Sequence, residues 1–131
     1  MKKLKIFVTA IIMFVSIFCL TACGAANVDY DLSSSGNTLT YSTVINMKKT
    51  PKNYLNKTFK IRGKVRSNGQ SYHYLYGTDP EACCNWDLEI KTESDDVKYP
   101  TSTKNVIAVG TYKAVRVNGR TSYYLEVTDF E

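Results

Sequence analysis

Phe59-Lys60-Ile61-Arg62-Gly63-Lys64-Val65-Arg66 alternates apolar or small residues with basic ones, without a break. Side chains of a strand point to opposite faces in turn, so this period of two puts Phe59, Ile61, Gly63 and Val65 on one side and four cations on the other. Gly63 falls on the inward face, where a missing side chain lets a strand bend or coil sharply. The stretch predicts one strand of a small, curved sheet with a buried face and a basic one.

Downstream, Asn68-Gly69 precedes Tyr72-His73-Tyr74-Leu75-Tyr76, a hairpin signal. The pattern recurs near the end: Val106 to Val117, then Asn118-Gly119, then Ser122 to Val127. Trp86 to Lys91 reads as a strand between the two hairpins, while Glu93-Ser94-Asp95-Asp96 and Tyr99-Pro100-Thr101 are loop chemistry. Five strands with glycines inside the first and fourth predict a mainly β domain, a small OB-like barrel that closes its own edges. Upstream, Leu39 to Met47 admits a short amphipathic helix or a strand, with helix the expectation, and Thr50-Pro51 reads as an N-cap with Pro at the first helical position.

Tyr54 to Val65 resembles the opening of exported bacterial OB-fold domains, where a short helical turn leads into a first strand. Val106 to Tyr112 resembles their fourth strand, and Ala82-Cys83-Cys84 resembles a step in small Gram-positive lipoproteins. The resemblance implies a binding scaffold and no particular ligand, because one fold hosts many functions. It also implies a helix between the third and fourth strands, and Thr92 to Lys104 shows no helical period.

The head of the chain has another purpose. Lys2, Lys3 and Lys5 precede an apolar run from Ile6 to Leu20, and no further charge appears until Asp29. This is the pattern of an export signal. Leu20-Thr21-Ala22-Cys23 resembles the lipobox of bacterial lipoproteins, which implies cleavage after residue 22 and a diacylglyceryl thioether on Cys23. Residues 23–40, small and polar, read as a flexible tether, and 41–131 as the barrel domain. Without the three lysines of the signal, 14 basic residues face 12 acidic ones and the net charge falls from +5 to +2. The expected location is the outer face of a cytoplasmic membrane, lipid-anchored, in a Gram-positive cell, a compartment that argues against nucleic acid as partner.

Cys19 leaves with the signal and Cys23 is consumed by lipid, so Cys83 and Cys84 remain. They admit three readings. One cysteine packs inward as a small hydrophobe; the pair closes a strained vicinal disulfide; or the two thiolates hold zinc or copper with His73, and Glu81 or Asp87 adds an oxygen. The expectation is no cofactor, with zinc or copper as the alternative.

His73 is the sole histidine, and no Walker loop, dinucleotide fingerprint, H-E-x-x-H or G-x-S-x-G accompanies it. No catalytic residue is expected. The candidate binding surface combines the basic stripe Lys60, Arg62, Lys64 and Arg66 with Tyr72, Tyr74, Tyr76 and Trp86, cations beside rings that stack sugars, peptides or bases. The sequence thus points to a non-catalytic binding domain of unspecified ligand. Its alternative is a thiol-dependent metal-binding or redox-responsive accessory protein built on Cys83 and Cys84.

Overall fold

A computed structural model describes residues 27–34, 37–69, 71–79, 84–101 and 104–131. The export signal, Cys23 and Cys83 lie outside the described residues. Among those described, no helix is long and apolar enough to cross a membrane.

The chain runs β1 (Tyr30–Leu32), α1 (Asn37–Lys49), a 3-10 turn (Pro51–Asn53), β2 (Thr58–Asn68), β3 (Tyr72–Asp79), β4 (Cys84–Thr92), β5 (Val106–Val117) and β6 (Arg120–Phe130). The last five strands close a barrel in the order β2, β3, β4, β6, β5 and back to β2. Only β4 and β6 pair parallel within it. The expected small OB-like barrel is therefore the fold.

Alternation works as the opening stretch predicts: Phe59, Ile61, Gly63 and Val65 are buried while their neighbours are partly or fully exposed. β2 serves both seams, pairing with β5 over Thr58–Gly63 and with β3 over Lys64–Asn68. Close approach explains why glycine sits at the turning point: a Cβ on Gly63 would meet the Tyr76 carbonyl oxygen at 2.8 Å, and Trp86 crowds it as well. A Cβ on Gly77 would stand 2.6 to 2.7 Å from the indole, and one on Gly63 would stand 3.0 Å from it. Two glycines on adjacent strands make the berth for one large inward ring, which is 4% exposed.

α1 begins at Asn37, two residues before the expected Leu39, and buries Thr40, Val44 and Met47 at helical spacing. It packs against β3 and β4. The Tyr112 hydroxyl donates to the Met47 carbonyl at 3.4 Å. β4 and β6 pair over only three positions, Ile90 to Thr92. Beyond them Lys48, Leu88, Tyr112 and Tyr123 line one cleft, so the end of α1 stands where those strands diverge. The described residues between β4 and β5 hold no helix. A helix from ahead of the first barrel strand packs on the barrel instead.

Two expectations need correction. The segment read as a flexible tether through residue 40 is structured from Asp29: β1 pairs in parallel with Phe59–Ile61, and Leu32 is buried. Polar composition hid a clamp. The Thr58 amide and hydroxyl donate to the Asp29 carboxylate at 2.8 and 3.0 Å, and the Asp29 amide donates to the Thr58 hydroxyl at 2.9 Å. Tyr30 stacks on Phe59 at 4.8 Å, which adds apolar contact. Second, Thr50 does precede the 3-10 turn with Pro51 at its first position, as the sequence predicts, but its side chain makes no capping hydrogen bond. Its hydroxyl donates instead to the Asn46 carbonyl at 3.0 Å, within α1.

Candidate functional site

Cross-strand register builds the site on the outer face of β2, β3 and β4. Lys64 stands opposite Tyr76 and Arg66 opposite Tyr74; Tyr74 in turn faces Glu89, and Tyr76 faces Asp87. Every one of these side chains has the outward parity, because Val65, Leu75 and Leu88 take the inward one.

Arg66 reaches across β3. Its guanidinium lies 5.3 Å from the Tyr76 ring centroid and 5.9 Å from that of Tyr74, within cation–π range. Its Nη2 meets Asp87 Oδ2 at 3.4 Å. Lys48, from the last turn of α1, pairs with the other oxygen, Asp87 Oδ1. One carboxylate thus joins two cations from two elements, and all three groups remain close to half exposed, at 42 to 55%. Exposed pairs of this kind are worth roughly 0–1 kcal/mol, so they open cheaply.

A groove of about 500 Å³ lies along this cluster, lined by Ile45, Lys48, Arg66, Tyr76, Asn85 and Asp87 among others. It continues towards Asn68 at the β2–β3 turn and towards Tyr123 on β6, with Asp87 shared throughout. A further depression of about 270 Å³ joins at Tyr76 and carries Arg62 and Lys64. Aromatic rings, hydrogen-bonding side chains and net positive charge therefore share one continuous surface.

The basic stripe is divided in use. Lys60 pairs with Glu131 at 3.2 Å, and Arg62 Nε donates to the Ser33 carbonyl at 2.7 Å, so these two hold Glu131 and the residue after β1 against β2. Lys64 makes no ion pair among the described residues, and Arg66 belongs to the groove. Tyr74 and Tyr76 lie in the groove, whereas Tyr72 stands 52% exposed beside the β2–β3 turn. Trp86 takes the inward parity, its indole packed against the two glycines, and the little that remains exposed lines the groove and the adjoining depression.

His73 is also corrected as a metal ligand. It sits at the start of β3, while Cys84 pairs with Asp79 at the other end, six residues or roughly 20 Å along the strand. The imidazole stacks on Tyr99 at 3.5 Å, and Nδ1 lies 2.7 Å from Ser67 Oγ in a hydrogen bond whose donor depends on the tautomer. Asp87 has the parity opposite to Cys84 and is held by Lys48 and Arg66, which removes it from any shared centre with that thiol. Glu81 lies outside the described residues. Among the described residues, no three His, Cys, Asp or Glu side chains cluster closely enough for a metal ion. Cys84, half-buried in β4, shares the parity of Trp86 and Leu88.

Titration marks the frame more than the face. Hydrogen bonds from Thr58 hold Asp29 below the usual carboxylate range, and those from Ser33 do the same for Asp31. Burial, helped by the nearby Tyr123, pushes the Tyr112 phenol up to about 12.

Asp87 as partner of Arg66, and Lys48 as its second cation, are the residues that sequence reasoning missed. Asp87 follows Trp86 in a strand, and that strand's alternation places it outward. Its partners depend on a register and a helix position that no local pattern encodes. In comparisons with known proteins, no family model matches the chain and no curated protein matches it.

Proposed function

We propose that this chain is a lipid-anchored, extracytoplasmic binding protein without catalytic activity, whose ligand face is the outer surface of β2, β3 and β4. The observation that carries the reading is the groove in which Arg66 lies over Tyr74 and Tyr76 and meets Asp87. OB barrels bind on the face of their second and third strands, which are β3 and β4 here. The face also offers rings, a guanidinium and exposed polar groups in the mixture that ligand sites use.

The anchor rests on the lipobox-like Leu20-Thr21-Ala22-Cys23 behind an apolar run. Six residue steps separate Cys23 from Asp29, which Thr58 holds against the barrel. Fully extended, they span about 20 Å. Lipidation at Cys23 would thus hold the barrel on a short leash, and two acyl chains make such attachment stable.

Three variants test the proposal. Cys23→Ala is expected to release the protein or block its processing; unchanged membrane retention with an intact precursor mass would refute the lipid anchor. Arg66→Gln with Tyr76→Ala is expected to abolish retention of envelope components while leaving the fold intact, and full retention would refute the face. Cys83→Ser with Cys84→Ser is expected to leave retention unchanged. Loss of stoichiometric zinc or copper in that variant would favour the thiol-dependent alternative.

A further inference from the structure

The Arg66–Asp87–Lys48 arrangement specifies more than a binding face. Resting on the proposed function, we infer that the groove takes a linear polyanion of the phosphodiester class, and that Asp87 is the built-in anion which such a ligand must displace. Arg66 from β2 and Lys48 from α1 converge on one carboxylate, so the cluster already holds an anionic group between two cations. The same two cations receive any incoming anion that takes the place of Asp87.

The internal carboxylate also sets a threshold. It is tethered beside its partners, so its effective concentration exceeds that of a singly charged solute. A ligand gains over Asp87 only by engaging further cations. Lys64 supplies the next one: it shares the outward parity of Arg66, two residues or about 7 Å along β2, and has no ion pair among the described residues. Its depression meets the main groove at Tyr76. Lys48, Arg66 and Lys64 against Asp87 leave the row net positive, and the charge spacing suits a chain with a repeated charge rather than a compact anion. Tyr74 and Tyr76 give the carbon skeleton between charges an apolar surface.

Phosphodiesters occur outside the cell both in soluble polymers and in lipid headgroups, and one experiment separates the sources. The full chain, held in neutral detergent micelles, is titrated with poly(glycerol phosphate), with inorganic phosphate and with a neutral chito-oligosaccharide. Backbone amide shifts of β2, β3 and β4 report the contact. A second arm dopes the micelles with phosphatidylglycerol. The inference expects the polymer or the doped micelle to shift Arg66 and Asp87, and inorganic phosphate to leave them in place.

Arg66→Gln should weaken binding about tenfold or more, as loss of a charged hydrogen bond implies. Asp87→Asn should tighten it about two- to fivefold by removing the competitor. With three cations engaged, the log–log salt slope should be about −2. Lys48→Gln gives an independent check if Asp87→Asn fails to fold, with a loss in place of a gain.

Unchanged or weaker polymer binding in a folded Asp87→Asn would overturn the gate. A flat salt profile, or no polyanion binding in either arm, would overturn the ligand class. Shifts on this face with the neutral oligosaccharide alone would overturn the inference and leave the proposed function standing. Polyanion binding that shifts β5 and β6 and spares β3 and β4 would overturn both.

Discussion

β2, β3 and β4 carry two surfaces that share a backbone and differ in almost everything else. Inward, Gly63, Gly77, Val65, Leu75, Trp86 and Leu88 interlock, and a missing Cβ matters as much as a large ring. Outward, Arg66 meets Tyr74, Tyr76 and Asp87 through contacts that water can replace. Shape is fixed on one side and chemistry is left available on the other. Stability and binding should therefore respond to different substitutions, residue by alternate residue.

The largest effect belongs to the inner surface. Trp86→Ala should cost about 3–5 kcal/mol, since it removes the ring that fills the space over two glycines. Chemical denaturation checks this; a loss below about 1 kcal/mol would mean that the glycine berth collapses without penalty. Gly77→Ala comes next, with an expected loss of about 1–3 kcal/mol by overpacking, because its new Cβ falls within 2.7 Å of the indole. In a Trp86→Leu background the same change should be milder. Equal costs in both backgrounds would show that glycine is needed for backbone conformation and not for the ring.

That inner surface was legible in the sequence through period two from Phe59 to Arg66, and Gly63 announced the bend. The Asn-Gly signals were legible as well, yet the two hairpins differ. Asn118 and Gly119 both take positive φ, 51° and 76°, in a two-residue turn, whereas of Asn68 and Gly69 only Gly69 does, in a longer one. The dipeptide predicts reversal; the register around it selects the turn. The burial of Trp86 was not legible, because its berth on Gly77 and Gly63 forms only through the register of three strands. β1 was missed because three residues cannot carry a period. Its strand character comes from the edge of β2 and from Asp29 meeting Thr58, contacts 29 residues apart.

Tyr112 and the β1 edge should reveal themselves by pH. Tyr112 keeps its proton more tightly in the fold, so its contribution is full below about pH 10 and is lost as pH rises through about 12. Tyr112→Phe should abolish this alkaline step and cost about 0.5–1.5 kcal/mol for the bond to Met47. An alkaline transition that persists in the variant would place its origin elsewhere. Asp29 has the opposite sign. Its folded-state pKa is lowered, so the β1 clamp is complete above the ordinary aspartate range and loosens as pH falls through the lowered value. Amide protection at Tyr30, Asp31 and Leu32, measured against the intrinsic rate at each pH, should fall in acid before that of the barrel strands does. Simultaneous loss would make β1 part of the barrel's cooperative unit.

The smallest effect on stability is the one that separates the two surfaces most sharply. Arg66→Gln and Asp87→Asn alter side chains about half exposed, whose pairing contributes roughly 0–1 kcal/mol. Each should move the unfolding midpoint little, with a stability change near 0.5 kcal/mol or less. If Asp87 serves mainly to seat α1 through Lys48, its replacement should also quicken exchange along Asn37–Lys49 and lower stability beyond that figure. If it serves the groove, α1 stays protected and the two substitutions act in opposite directions on anion affinity. A strand whose inward residues set stability and whose outward residues set only affinity is a scaffold with an independent surface. Coupling between Asp87→Asn and Trp86→Leu in a double-mutant cycle measures how independent that surface is.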